Sequence, residues 1–275
     1  MKSITGILLF AATLAVPTAA SAGSITIKGS DTMVLLGQRW AEQYMAKAPG
    51  SAIQVTGGGS GTGISALING TTDICEASRS MSEAEKNSMR ERYKTPGEEI
   101  PVARDGLSVY VNAANSIKDL NMEQLRLIFT GKVTNWKEVG GKDAKIILYS
   151  RENSSGTYVF FKEHVLKNAD YAQRAQSMPG TAAVVNAVSK EKNGIGYGGA
   201  AYAKGIRVLK IKKDAESPAV EPDLANVQNG SYPLSRPLFF YLRNKASGDI
   251  KAFIDWVLSA EGQEIVTKIG YFPVK

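Results

Sequence analysis

Apolar residues along the chain alternate between two spacings. Residues 24–28, 52–56 and 145–150 form short apolar runs rich in Ile, Val and Leu, which are typical of strands. The segment 33–44 instead carries large apolar residues three or four positions apart, which predicts a helix. Because strand and helix patterns follow one another along the chain, the sequence predicts an α/β fold.

Further elements continue this alternation. Ser82 and Glu85 form the S-x-x-E pattern of a capping box, which predicts a helix from there to about Tyr93. The segment 213–237 is rich in Pro, Asn and Ser and is expected to be mostly loop. The other predicted helices begin near Thr62 or cover 122–129, 157–166 and 249–269, with a break near 260–262. The other predicted strands are 73–78, 99–103, 107–112, 193–198, 206–211 and 236–242.

The N-terminus has the three-part layout of a secretory signal peptide. Lys2 precedes an apolar run over 4–16, and the small residues Ala20-Ser21-Ala22 follow it. A membrane anchor is disfavoured because the run is shorter than the ~20 residues that span a bilayer. We therefore expect a signal peptide over 1–22 and an exported, periplasmic protein whose mature chain starts at Gly23.

The net charge of +7 is compatible with nucleic acid, an anionic surface or an anionic small ligand as the partner. Export and the dispersed positions of the charges argue against nucleic acid. Net charge alone does not separate the other two partners. Cys75 is the only cysteine, so the chain forms no internal disulfide, and its apolar surroundings predict a buried residue.

Three loops share a composition suited to anions. GSDTM (29–33), VTGGGSGTG (55–63) and SRENSSGTY (150–158) each follow a predicted strand and precede a predicted helix. The first N–H groups of a helix lack partners within it, and the helix dipole places partial positive charge there. Glycine permits close approach of the backbone, and hydroxyls add rotatable donors. Loops of this kind bind anions with several oxygens.

Capping without any ligand would explain each loop taken singly. Three such loops favour a shared ligand site over simple capping, because loops at the carboxyl ends of strands in an open α/β sheet lie together where ligands bind. Arg151 at the third loop and Arg79 after the third strand would supply guanidinium groups suited to phosphate-type oxygens.

The sequence lacks two common enzyme motifs. None of the loops is a P-loop, and Thr62 stands where the G-x-S-x-G motif needs its last glycine. His164, the only histidine, would need a specific triad geometry, so we interpret it as a structural or surface residue. No His/Cys cluster predicts a metal site, and we expect no cofactor.

In this order, the motifs resemble those of the periplasmic phosphate-binding proteins, the substrate-binding components of phosphate ABC transporters. The resemblance covers Gly23–Lys275 and implies two α/β lobes that clamp the ligand between them, joined by crossover strands. It suggests one lobe from 23–105 and 238–275, a second lobe from 106–237, and crossovers near 101–112 and 234–242. The motifs are KGSDTM, GGGSGTGI, DICEASR, RDGLSVYVN, IFTGKVTNWKEVGG, SRENSSGTYVFF, NGIGYGG and WVLSAEGQEIVTKIGYFPV.

The resemblance also implies a ligand site built from the three loops. It carries no catalytic residue and no metal. The implied phosphate-binding residues are Ser30, Thr32, Met33, Ser60, Arg79, Arg151, Ser155, Gly156 and Thr157. Arg79 is a departure, because well-known members of the family have there an Asp that accepts the proton of phosphate and so rejects sulfate. Asp31 or Glu76 are alternative acceptors, and selectivity among anions stays open.

The expected function is therefore that of a receptor and not of an enzyme. It would bind inorganic phosphate, close its lobes and deliver the ion to membrane ABC permease subunits, acting as a monomer with no nucleic-acid partner. The alternatives are a receptor for sulfate, molybdate or tungstate, a secreted phosphatase-like enzyme, and a sensor module on the same fold.

Overall fold

The computed structural model describes residues 23–274, so the predicted signal peptide over 1–22 lies outside the described residues. The strands are β1 (Ser24–Gly29), β2 (Ala52–Thr56), β3 (Ile74–Ala77), β4 (Glu98–Gly106), β5 (Ser108–Val111), β6 (Asp119–Asn121), β7 (Ile147–Arg151), β8 (Gln176–Met178), β9 (Gly194–Gly198), β10 (Arg207–Val208), β11 (Lys210–Lys212) and β12 (Ser235–Leu242). The α-helices are α1 (Val34–Lys47), α2 (Ser60–Asn69), α3 (Glu83–Tyr93), α4 (Met122–Phe129), α5 (Gly156–His164), α6 (Thr181–Lys190), α7 (Leu224–Gln228), α8 (Gly248–Val257) and α9 (Ala260–Ile269).

The first of two five-stranded sheets has the strand order β2-β1-β3-β12-β4. β1 runs parallel to β2 and β3, whereas β12 is antiparallel to β3 and β4. One core cluster joins α1, α8 and the sheet through side chains such as Trp40, Phe240 and Phe253. A separate cluster around Cys75 and Met89 joins the sheet to α2 and α3, so Cys75 is buried as predicted.

The second five-stranded sheet has the order β10-β5-β9-β7-β8, with β9 antiparallel to β5 and parallel to β7. Its largest core cluster includes Leu148, Phe129, Phe161 and Tyr197. A two-stranded sheet of β6 and β11 accompanies it. Within residues 23–274, none of the helices combines the length and the apolar character needed to cross a membrane.

The chain passes between the two large sheets at two places. β4 ends at Gly106 in the first sheet, and β5 begins at Ser108 in the second. On the return, Leu234 packs in the core of the second sheet and β12 begins at Ser235 in the first. The predicted two-lobed α/β fold is confirmed. The lobe boundaries at 105 and 238 stay a prediction.

Several local predictions agree closely with the structure. The Ser82–Glu85 capping box is present, and the C-terminal helical region divides at Leu258 and Ser259 into α8 and α9.

Two other predictions differ from the structure. The segment 206–211 is not one strand, because Leu209 is buried between β10 and β11, which pair with different strands. α6 was not predicted, although Val184 and Val188, which are buried one helical turn apart, carried the signal.

Candidate functional site

The three glycine-containing loops meet at one point. The Gly59 N–H donates to the carbonyl of Gly29 at 2.9 Å, which joins the second loop to the first. The Gly61 N–H donates to the carbonyl of Ser154 at 2.8 Å, which joins the second loop to the third. Since the first two loops follow β1 and β2 and the third follows β7, these contacts link the first sheet to the second.

Close packing at this point requires glycine at two positions. A Cβ atom on Gly156 would lie 2.3 Å from Ser60 Oγ and 2.8 Å from Ser78 Oγ, which is too close for any side chain. Gly59 has φ of 93°, and a Cβ there would lie 2.5 Å from the carbonyl oxygen of Ser154. The glycines therefore let the start of α5 approach the start of α2.

Hydroxyl groups from both sheets line this junction. Thr32 Oγ1 and Thr157 Oγ1 lie 2.9 Å apart, and both residues are buried. Ser78 N–H donates to Ser60 Oγ at 3.0 Å, and Ser30 Oγ donates to Ser78 Oγ at 2.8 Å. We call these five residues, Ser30, Thr32, Ser60, Ser78 and Thr157, the hydroxyl cluster.

The starts of three helices, α1, α2 and α5, lie at the hydroxyl cluster. α1 and α2 have Met33 and Gly59 as N-caps, and neither start has a side-chain cap. α5 is capped by Ser155, whose Oγ accepts from the Tyr158 N–H at 3.3 Å. Because a helix start carries partial positive charge and unpaired N–H groups, the arrangement suits an anion with several oxygens. The N–H of Met33 itself donates to the carbonyl of Ser30 at 2.8 Å.

Arg151 lies at the end of β7 with 1% of its side chain exposed. Its Nη2 donates to Asp31 Oδ2 at 2.8 Å and to Glu152 Oε1 at 2.9 Å, and its Nη1 donates to Thr181 Oγ1 at 3.0 Å. Asp31 also accepts from the Gly58 N–H at 3.0 Å. The buried guanidinium is thus held in one orientation by carboxylates from both loops.

Arg79 lies differently from Arg151. Its Nη1 and Nη2 donate to the two carboxylate oxygens of Glu85 at 2.8 and 2.7 Å, and Nη1 also reaches the carbonyl of Ser80. Glu85 is at the same time the capping-box residue of α3. The pair neutralises the charge of Arg79, and hydrogen bonding to Arg79 lowers the pKa of the Glu85 carboxyl despite its burial. A place for Arg79 in the ligand site stays a prediction.

Arg236, which is not among the predicted site residues, also reaches the loop junction. It lies in β12 opposite Asp105 of β4, and both side chains are buried. The Nε and Nη2 atoms of Arg236 donate to Asp105 Oδ2 at 3.0 and 2.8 Å. The remaining donors reach Ser78 and Thr157, at the edge of the hydroxyl cluster. The only available signal was a charged residue in the apolar run RPLFFYL.

Glu76 is a buried carboxyl group beneath the first loop. Neither of its side-chain oxygens has a hydrogen-bond partner. Burial, and secondarily the charge of Asp31, raises the pKa of Glu76 well above the usual glutamate range. A Cβ atom on Gly37 of α1 would lie 2.7 Å from Glu76 Oε2, so the helix leaves room for this carboxyl only because it has glycine there.

The structure brings the nine predicted residues to the junction of the loops. Arg79 is paired with Glu85, and its Nη2 also lies 3.8 Å from where a Cβ atom on Gly61 would stand. Their role in binding a ligand stays a prediction. The exposed His164 stacks on Phe160, and its Nδ1 lies 3.0 Å from the Phe160 carbonyl oxygen, as suits a surface residue. Among the described residues, no group of three or more His, Cys, Asp or Glu side chains is placed to hold a metal ion.

Comparison with known proteins defines the class of protein to which this fold and site belong. A family model described as the PBP superfamily domain matches residues 15–261. A substrate-binding protein from Clostridium perfringens, solved with bound phosphate, has a TM-score of 0.84 at 33% identity, covering 92% of this chain and 100% of that chain. An ABC-type phosphate transport receptor from Vibrio cholerae has a TM-score of 0.72 at 30% identity, covering 90% and 99%.

Sequence relatives narrow the family further. The phosphate-binding protein PstS of Pseudomonas aeruginosa is 36% identical over 269 residues, which cover 92% of this chain and 83% of that protein. PstS of Bacillus subtilis is 34% identical over 255 residues, covering 92% and 82%. The chain belongs to the PBP superfamily and, within it, to the family of the phosphate-binding protein PstS. Proteins of this family are substrate-binding receptors, so the chain is a receptor and not an enzyme.

Proposed function

We propose that this protein binds inorganic phosphate at the junction of the three loops. The observation that carries the proposal is the meeting of three hydroxyl-bearing loops beside the buried guanidinium of Arg151, which is held between Asp31 and Glu152. Buried hydrogen bonds to a charged ligand are strong because water does not compete for them. The phosphate bound to the similar protein from Clostridium perfringens supports this ligand.

Binding between the lobes gives the receptor its conformational signal. The three loops come from both sheets, so an anion that bridges them favours the closed arrangement of the lobes. We propose that the closed form docks on membrane ABC permease subunits and releases the ion to them. We further propose that the mature protein starts at Gly23, acts in the periplasm and is a monomer.

Arg79 bears on which tetrahedral anion the site prefers. Arg79 replaces the carboxylate that reads the phosphate proton in well-known members, and it is paired with Glu85. Sulfate, molybdate and tungstate are therefore the competing ligands, because each presents the same tetrahedral set of oxygens.

Isothermal titration calorimetry with phosphate, sulfate, molybdate and tungstate, at several pH values, tests the proposal. We expect phosphate to bind most tightly and with one ion per chain. If another of these ions binds more tightly, the site is supported but its ligand is that ion and not phosphate. Absence of binding by all four ions contradicts the proposal. A pull-down with permease subunits, with and without the ion, separates a transport receptor from a sensor, which would not associate with them.

A further inference from the structure

Arg236 and Asp105 form a buried ion pair at the place where the chain crosses between the sheets. Arg236 lies at the start of β12 and Asp105 near the end of β4, and the two residues are direct partners in the sheet register. Their side chains are 1% and 0% exposed. Asp105 Oδ1 also accepts from the Ala200 N–H at 3.1 Å. The carboxylate is thus satisfied on both oxygens, and its position fixes that of the guanidinium.

The other donors of Arg236 reach one residue from each lobe. Nη1 donates to the carbonyl oxygen of Ser78 at 3.0 Å, and Nη2 donates to Thr157 Oγ1 at 3.0 Å. Ser78 follows β3 in the first sheet, whereas Thr157 lies in the first turn of α5 beside the second. The guanidinium of Arg236 therefore links the residues of the hydroxyl cluster that come from the first lobe to the one that comes from the second.

The bond to Thr157 determines what its hydroxyl can do. A guanidinium has donors and no acceptor, so the Thr157 oxygen must be the acceptor in this contact. Its own O–H is then left to donate elsewhere, towards Thr32 Oγ1 at 2.9 Å or towards an anion in the junction. A donor hydroxyl polarised by a charged group makes a stronger hydrogen bond to an anion than a free hydroxyl does.

We propose that Arg236 is a positioning residue for the oxyanion, which holds the Thr157 hydroxyl as a donor towards it. This inference rests on the proposed function of the site. A purely structural role, in which Arg236 only holds β12 and β4 together, is the competing explanation.

A double-mutant cycle in phosphate calorimetry separates the two roles. The variants are Arg236→Met, Arg236→Lys, Thr157→Val and the double variant Arg236→Met/Thr157→Val, with the exposed Arg39→Met as control. We expect Arg236→Met to weaken phosphate binding by about 10- to 100-fold. We expect Arg236→Lys to lose less, since it keeps the charge without the fork of donors. The double variant should bind phosphate about as tightly as the single variant with the lower affinity, because both changes remove one shared interaction.

Four outcomes overturn the inference. Wild-type affinity in a folded Arg236→Met protein shows that the guanidinium acts only on the fold, and so do strictly additive losses in the double variant. If Arg236→Met does not fold, wild-type affinity of Thr157→Val overturns the inference, because the hydroxyl that Arg236 would position is then not needed for binding. Wild-type protein that binds no oxyanion removes the proposed function as well, so the two failures are distinguishable.

Discussion

Thr32 and Thr157 are 125 residues apart in the chain, yet their hydroxyl oxygens lie 2.9 Å apart in a buried contact. Thr32 precedes α1 beside the first sheet, and Thr157 lies in α5 beside the second. Their contact is therefore one between the lobes, at the point where the glycine-containing loops meet. An anion bound there would touch both lobes at once, which explains how binding a small ion can set the relative position of two lobes.

Arg151→Ala should weaken oxyanion binding by about 2–5 kcal/mol, the range measured when one partner of a buried charge pair is removed. The change takes away the guanidinium and leaves the carboxylates of Asp31 and Glu152 facing each other without a cation. Calorimetry with phosphate gives the loss, and circular dichroism checks the fold. Arg39→Ala, which removes a half-exposed arginine on α1, is the matched control. An unchanged dissociation constant in folded Arg151→Ala would remove Arg151 from the site.

Gly156→Ala should separate the second and third loops. The added methyl group would lie 2.3 Å from Ser60 Oγ, and overpacking of this kind costs about 1–3 kcal/mol. Because the ligand would bridge these loops, affinity for phosphate should fall together with stability. Gly140→Ala is the control: Gly140 has φ of 86° but open space around it, so it should lose stability through backbone strain and keep its affinity. Wild-type affinity in Gly156→Ala would show that the loops do not close on the ligand.

Glu76→Gln should change how stability depends on pH. Since the folded protein raises the pKa of Glu76, the native state binds this proton more tightly than the unfolded chain does. Stability therefore falls as pH rises above the ordinary glutamate pKa, about 4.3, and levels off above the raised pKa of the folded state. A neutral amide has no such proton, so Glu76→Gln should lack this part of the decline.

Urea denaturation of both proteins between pH 4 and 8 measures this difference. The free energies of unfolding should differ least near pH 4 and should shift in favour of Glu76→Gln as the pH rises. Parallel pH profiles would show that Glu76 does not titrate differently in the folded and unfolded states.

The loops of the site could be predicted from sequence because their signal is local. Each one joins a strand end, small or hydroxyl residues and a helix start within about ten positions, and the topology of an open α/β sheet then brings such loops together. The capping box of Ser82 and Glu85 is readable for the same reason.

The ion-pair partners of the arginines around the loops could not be predicted in this way. Arg79 is paired with Glu85, six residues further on, through a turn whose shape depends on the packing of α3. Arg236 and Asp105 are 131 residues apart and meet only because β12 and β4 are neighbours in the sheet. Partners at such separations follow from the tertiary structure, which the composition of either strand does not specify.

A crystal structure of the protein grown with phosphate tests the central claim most directly. The account predicts one tetrahedral ion within hydrogen-bond distance of Thr32, Ser60 and Thr157, with Arg151 in contact with it and with Arg236 still bonded to Thr157. An ion bound elsewhere, with the loop junction unchanged and empty in a protein that calorimetry shows to be saturated, would contradict it.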